Sequence, residues 1–361
     1  MYIPGLLGEF GFPKGSVVVI SAIEGFLAVL IEPLFGSLSD RYKTLLGLRA
    51  PFVTIGVLLT AAFMTIMPAV ILLGSPDSLI RWVFIAVVIT WAMAMAMFRS
   101  PMLARLGEFA CQRDWPYAAS VLTLVGTIAG TLALPASEQI VKGLGAWPAF
   151  TISSIILLIS ATLLNRTQPP PTMPPTIADT SQQSSPQNLG LIALSGMAIT
   201  IGVILIRQLI GLVGNDQAAA LMTLFLVVQL VTVLPIGWAA QRWGSLQTMM
   251  GGLVLLGIGL FEIYVLPGPI GIAHSAAVIA LGLGMSAVGV GTIPFALEMV
   301  SPSRGGLGIG CYFGGAALAG ALFNLYMSNA NQVPLSAGFI VGFLSLVIAI
   351  GTLSICRSRI S

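Results

Sequence analysis

The sequence predicts an all-α polytopic membrane protein made of two helical bundles, and three observations predict it. Hydrophobic residues fill 57% of its 361 positions and charged residues only 7%. Long apolar runs recur along the whole chain with short polar connections between them. One proline-rich polar segment divides those runs into five and six. Soluble chains are about 25% charged, and so few charges cannot cover a surface that faces water. In lipid the need disappears, provided each backbone polar group is satisfied within a helix or a closed barrel.

A hydrocarbon core of about 30 Å takes roughly 20 helical residues. Runs of that kind fall near 16–38, 50–74, 79–99, 117–137 and 146–164, and then near 189–210, 218–240, 246–266, 270–297, 306–327 and 334–355. Between the fifth and sixth lies NRTQPPPTMPPTIADTSQQSSPQN, residues 165–188. Its prolines forbid a helix interior and its polar residues build no core. The organisation read from this is a first bundle over 1–164, a flexible linker over 165–188 and a second bundle over 189–361.

Orientation follows from the basic residues. With the connection after the first span on the cytoplasmic side, Arg41, Lys43, Arg49, Arg99, Arg105, Arg113, Arg166, Arg242, Arg304, Arg357 and Arg359 lie inside or at the inner boundary. Lys14, Arg81, Lys142 and Arg207 lie outside or toward the outer half. That bias makes the linker and the C-terminus cytoplasmic, puts residue 1 outside, and points to a bacterial inner (plasma) membrane.

Several function classes fall away. The net charge is +3 and no basic run is present, so nucleic acid is not a partner. Cys111, Cys311 and Cys356 are too scattered for a disulfide framework or a zinc site, so no metal is expected. The first residues lack the basic region of a signal peptide. No phosphate-binding glycine loop, nucleophile elbow or paired-histidine motif appears, which argues against an enzyme and against a cofactor. The glycine-rich GLGMSAVGVG, 282–291, lies inside a span and reads as close helix packing.

An internal repeat is visible at an offset of 201 residues. Gly36, Asp40 and Arg41 correspond to Gly237, Gln241 and Arg242. The same offset aligns Ser100-Pro101 with Ser301-Pro302 and Leu106-Gly107 with Leu307-Gly308. Two homologous halves, related by an axis along the membrane normal, are one transporter plan.

The stretch Gly36-Ser-Leu-Ser-Asp40-Arg41, followed by the basic Lys43 and Arg49, resembles the signature loop of the major facilitator superfamily. The longer run from Glu32-Pro33 to Arg49-Ala50-Pro51, with Phe98-Arg99-Ser100-Pro101, resembles its sucrose-transporter-like (glycoside-pentoside-hexuronide) branch. A rival resemblance is to the light-harvesting assembly proteins of photosynthetic bacteria, which share the fold and a similar loop. The superfamily resemblance implies the major facilitator fold with twelve spans, so the eleven visible ones leave a first helix unaccounted for. Residues 1–12 then read as the tail of that helix, with either an upstream start or a natural truncation behind it. The resemblance also implies a secondary active transporter, driven by protons, that moves a small solute, a sugar by analogy, across the bilayer. The rival implies a non-transporting factor for pigment binding or light-harvesting complex assembly, and an inactive truncated remnant is the third reading.

Candidate site residues form two groups. The first is a gating loop of Gly36, Asp40, Arg41, Lys43 and Arg49, with Gly237 and Arg242 as its counterpart. Asp40 is expected to dock on the N-terminus of the span that begins near Gly306, where partial positive charge and free N–H groups collect. Gly306, Gly310 and Gly314 give that span a small face for close approach. Arg41, Lys43 and Arg49 are expected to hold the loop at the membrane interface; the simpler reading of the whole loop is an orientation anchor alone.

The second group is intramembrane. Ionisable groups inside a bilayer are costly and therefore functional candidates. Glu24 sits mid-span, Glu32 two turns nearer the cytoplasm, and Arg207 in the outer part of the sixth span. Glu24 and Arg207 are expected to face one cavity from opposite halves, with Glu24 as the proton-coupling acid, or else Glu24 is a packing group and Arg207 snorkels to the interface. Thr127, with Thr123 and Thr131, gives a polar stripe beside a packing face of Gly126 and Gly130, unless the threonines bond back to their own helix. Gln229, Gln208 and Asn324 offer amides to a hydroxylated solute. Glu262 and His274 are placed to pair across a short loop.

Overall fold

The computed structural model describes residues 7–360 apart from 9, 14, 47–48, 73–78, 168–184, 215–216, 267–271 and 331–332. Most of the expected linker, together with Glu9 and Lys14, therefore lies outside the described residues. Eleven long helices and no strand occur among the described residues. The first five are α1 (Ser16–Leu46), α2 (Ala50–Leu72), α3 (Ile80–Ala104), α4 (Trp115–Leu144) and α5 (Ala146–Arg166). The remaining six are α6 (Pro186–Gly214), α7 (Ala218–Trp243), α8 (Ser245–Val265), α9 (Ile272–Glu298), α10 (Gly305–Asn329) and α11 (Leu335–Ile360). By length and composition, ten of them qualify as membrane spans among the described residues, and α4 is the eleventh long helix. The protein is an integral multi-pass membrane protein.

The helices agree with the predicted spans, and most overrun them, α2, α8 and α9 being the exceptions. Thus α1 continues to Leu46, so Gly36–Arg41 is not a loop but the last turns of a helix. The reason is local: Leu, Arg, Lys, Ser and Tyr are all tolerated in helices, and no glycine or proline follows Gly36 until Gly47. By contrast α7 stops at once after Trp243. Gly244 takes φ +94° and its N–H bonds the Ala240 carbonyl at 2.9 Å, a terminus that favours glycine.

One end of the bundle is defined by polar contacts, and we call it the Asp40 end. Here Arg105 at the end of α3 reaches Asn165 Oδ1 (3.3 Å) near the end of α5, and Asn165 Nδ2 donates to Thr54 Oγ1 (2.8 Å) at the start of α2. Arg359, late in α11, donates to Asn188 Oδ1 (2.7 Å) and Gln187 Oε1 (3.1 Å) at the start of α6. Ser245, opening α8, donates to both oxygens of Glu298, which closes α9 (2.8 and 2.9 Å). The main core, around Leu253, Leu281 and Ile309, lies among the last six helices. It draws in Ala104, Leu106 and Ala119 from the first part of the chain, all at this end.

The helix starts also revise the repeat. Gly36 and Gly237 hold comparable places near the ends of α1 and α7. Ser100-Pro101, however, is buried inside α3, whereas Ser301-Pro302 opens a 3-10 turn before α10. The turn before α4 is Gln112–Asp114 and the one before α10 is Pro302–Arg304, an offset of 190. The longer run of α1 past Gly36 and the shorter connections of the later helices together account for the slip, so the 201-residue matches at Ser100 and Leu106 are not structural equivalents.

Candidate functional site

The site begins with a close antiparallel contact between α1 and α10. A Cβ on Gly306 would stand 2.6 Å from the Gly36 carbonyl oxygen, one on Gly310 2.5 Å from that of Glu32, and one on Gly314 3.1 Å from that of Val29. Gly25 meets Ala321 further along in the same way. Only missing side chains let the two backbones approach this closely. A second glycine face on α10 meets α6, where Gly196 lies against Tyr312 and Gly315 against Ala193.

At the end of this seam sits Asp40. Its Oδ1 accepts the Gly306 N–H at 2.9 Å and its Oδ2 the Leu307 N–H at 2.8 Å. These are free first-turn amides of α10, where the helix dipole also favours a negative charge. Arg49 pairs with Asp40 from the other side, donates from Nη1 to the Ala104 carbonyl (3.0 Å), and lies 3.3 Å from Glu108 Oε1. Lys43 completes the cluster at 2.9 Å from the same Glu108 oxygen. Arg49 is only 3% exposed, so it is not the interfacial anchor the sequence suggests. The helical continuation of α1 turns Asp40 and Lys43 toward α3 and α10, and the chain's return at the start of α2 brings Arg49 in beneath them. Arg41 is exposed and lines a surface pocket with Ser303 and Arg304.

The matching seam joins α4 to α7 and α9. Gly237 packs on Ser120, and Gly289 on the Thr123 methyl, which a Cβ would approach to 2.9 Å. Gln241, in the place that Asp40 holds in α1, donates from Nε2 to Asp114 Oδ1 at 2.9 Å. Arg242 stacks on Trp238 with its guanidinium carbon 3.8 Å from the ring centre. Further along α4, Gly126 and Gly130 are exposed with no other atom near their Cβ positions, while Thr127 between them is buried. The expected packing face there is therefore unused.

Glu32 is fully buried in α1. Ser100 Oγ donates to its Oε2, and Arg99 Nη1 lies 3.1 Å from its Oε1. Arg99 also rests 6.0 Å from the Phe313 ring centre on α10. Glu24 is half-buried in α1 and has no hydrogen bond or ion pair among the described residues. No ion pair joins it to Arg207, which is exposed on α6. Thr127 donates to the Thr123 carbonyl (2.9 Å), and Thr123 and Thr131 likewise bond back along α4. Gln229 is buried with its Nε2 on its own helix at Phe225 O (3.4 Å), while its backbone carbonyl accepts from Ser286 Oγ (3.3 Å). Asn324 is half-buried on α10. Glu262 and His274 form no ion pair: the ring of His274 is buried and its Nε2 has no hydrogen-bond partner.

Sequence reasoning missed Glu108, which gathers Lys43, Arg49 and Arg105, and it missed the pairing of Glu32 with Arg99 and Ser100. Scarcity was the available signal. The chain holds only 12 acidic residues, and an acid at the end of an apolar span requires a partner.

Helices arranged in this way have the major facilitator fold. No protein-family model and no curated protein sequence matches the chain. Solved structures do. The chain is similar to the Escherichia coli fucose:proton symporter, with a TM-score of 0.67 and 11% identity over 98% of this chain and 95% of that one. That fold has also been solved in an outward conformation as a Major Facilitator Superfamily transporter. The chain is similar to a bacterial homologue of the iron transporter ferroportin in an outward-facing state with soaked iron, at TM-score 0.75 and 14% identity over 99% and 94% of the two chains. It is similar to the human organic anion transporter TETRAN, at TM-score 0.66 and 14% identity over 97% and 87%. Identities this low speak for the fold alone.

Proposed function

We propose that the protein is a secondary active transporter that moves a small solute by alternating access, coupled to protons, with its Asp40 end in the cytoplasm. The observation that carries this reading is the breakable contact between the two halves at the Asp40 end. There the Asp40 carboxylate holds the first-turn amides of α10, and Gly237 and Gln241 of α7 meet Ser120 and Asp114 at the start of α4. Hydrogen bonds between helices of the two halves, gathered at one end, fit the closed gate of a rocking cycle. The helices up to Arg166 and those from Pro186 on are the moving bodies, and the stretch between them, shorter at both ends than the 165–188 read from sequence, is the tether. Asp40, with Gly36, Arg49 and Lys43, is the gate on one seam; Gly237 and Arg242 serve the other.

The concentration of Arg41, Arg105, Arg113, Arg166, Arg242, Arg304 and Arg359 at the Asp40 end supports its cytoplasmic placement in a bacterial inner membrane. A sugar is the solute class supported by the resemblance of the opening motif and by the likeness to a fucose symporter. Glu24 is the coupling acid: it is half-buried on α1 and has no cationic partner among the described residues, which leaves its proton free to exchange.

The test is counterflow in proteoliposomes with a panel of sugars and other small polar solutes, and a trapped pH dye. Solute-driven alkalinisation or acidification that Glu24→Gln abolishes while counterflow persists is the expected result. If Glu24→Gln still responds fully to a pH gradient, coupling through this residue is wrong. If no solute exchanges and the protein carries a coloured tetrapyrrole, the transport reading itself is overturned.

A further inference from the structure

We propose that the pocket between the start of α4 and the end of α7 binds a phosphate-bearing anion that bridges the two helices at the Asp40 end. The pocket measures about 570 Å³ and is lined by Arg113, Asp114, Trp238, Gln241 and Arg242.

The argument begins from a substitution between the two seams. On the α1–α10 seam a carboxylate, Asp40, answers the free amides of α10. On the α4–α7 seam the corresponding position, 201 residues on, is the neutral Gln241. Its amide is turned to Asp114, and Asp114, the residue preceding α4, makes no side-chain cap to that helix. No hydrogen bond from Asp114 or Gln241 therefore reaches the first amides of α4, whereas Asp40 bonds those of α10.

Two arginines face the gap. Arg113 comes from the turn before α4 and Arg242 from the last turn of α7. Both are exposed, and neither has an ion-pair partner among the described residues. Arg113 and Arg242 outnumber the one acid of the lining, Asp114, so the pocket favours an added anion. Arg242 is already oriented by its stacking on Trp238, which leaves the in-plane N–H fork free for bidentate contact with phosphate oxygens. The one acid in the lining, Asp114, accepts from the neutral Gln241 through one oxygen. Trp238 and Trp243, both more than half exposed, mark the level of the membrane interface beside the pocket. A phospholipid headgroup and free inorganic phosphate share the chemistry that this site reads, and bridging two helices from the two moving bodies would hold the seam shut.

The experiment is thermal unfolding of the purified full-length protein in detergent, titrated with dioctanoyl-phosphatidylglycerol, dioctanoyl-phosphatidylcholine or inorganic phosphate. The anionic lipid is expected to raise the melting temperature saturably and the zwitterionic lipid to have little effect. Arg113→Gln and Arg242→Gln each weaken the apparent affinity about tenfold, the scale of one charge-assisted hydrogen bond; Arg357→Gln, remote on α11, leaves it unchanged. Gln241→Glu supplies a resident carboxylate and abolishes the response. Inorganic phosphate reproducing the shift with the same arginine dependence would uphold the site with a soluble ligand. Equal shifts with both lipids, or glutamine variants that titrate like the native protein, would overturn it. The readout is binding, so its failure leaves the transport reading untouched.

Discussion

Asp40 and Gly306 are 266 residues apart in sequence, yet the carboxylate of the first accepts the backbone N–H of the second at 2.9 Å. The neighbouring Leu307 N–H takes the other oxygen, and Arg49 balances the charge from behind. One side chain thus caps a helix in another part of the chain, and the cap has to break if α1 and α10 separate.

Asp40→Asn removes the charge, turns one acceptor into a donor facing an N–H, and leaves the buried Arg49 with Glu108 in place of Asp40 as its acid. Stranding a buried partner outright costs about 3–5 kcal/mol; with Glu108 still beside Arg49 a smaller loss is expected, and the closed end should lose population. Spin labels at Thr44 and Ser303, both exposed on opposite sides of the seam, should move to longer distances. An unchanged distance distribution in Asp40→Asn and Asp40→Ala would end the latch reading.

Gly36→Ala and Gly126→Ala are predicted to act in opposite directions. A methyl group on Gly36 would collide with the Gly306 backbone, at a typical overpacking cost of about 1–3 kcal/mol. At Gly126 nothing stands in the way, and alanine gains about 0.5–1 kcal/mol in a helix. Melting temperatures of the two variants in one detergent provide the check. A stabilised Gly36→Ala would mean that the α1–α10 contact is looser than described.

Glu32 and Arg99 should behave as one unit. Arg99→Gln leaves a fully buried carboxylate with only Ser100 to answer it; because the Arg99 side chain is itself 44% exposed, a loss of about 1–3 kcal/mol is expected. The double variant Glu32→Gln with Arg99→Gln should recover much of it. Additive losses in this double-mutant cycle would show the pair to be uncoupled.

Arg49→Lys keeps the charge yet should fail as a replacement. Arg49 reaches Asp40, the Ala104 carbonyl and Glu108 from one planar group, a geometry a point charge cannot reproduce. Unfolding midpoints should fall nearly as far as for Arg49→Gln. A lysine variant as stable as the native protein would reduce Arg49 to simple charge balance.

Legibility varied with the range of the interaction. The positions of α1 to α11 were readable because a run of apolar residues long enough to cross lipid is a local property. The small face of Gly306, Gly310 and Gly314 was readable for the same reason, as was the fit of an acid to the start of that helix. The helical state of Gly36–Arg41 was not, since a polar stretch between apolar runs looks like a loop until its own backbone is followed. Nor was Arg49: a basic residue near a membrane boundary reads as an anchor, and only its neighbours Asp40, Ala104 and Glu108 make it a buried one.

By itself, then, the sequence determined the class of the protein, the number and order of its visible spans, and the one end where its charges gather, because composition and periodicity act within a helix. Tertiary structure alone decided which charges meet. It paired Glu32 with Arg99 and Ser100, sent Arg49 inward, left Glu262 and His274 apart, and gave Gln241 the place that Asp40 holds on the other seam. Those outcomes depend on how helices distant in sequence approach across lipid, where a glycine that admits a neighbour's backbone settles which side chains come within reach.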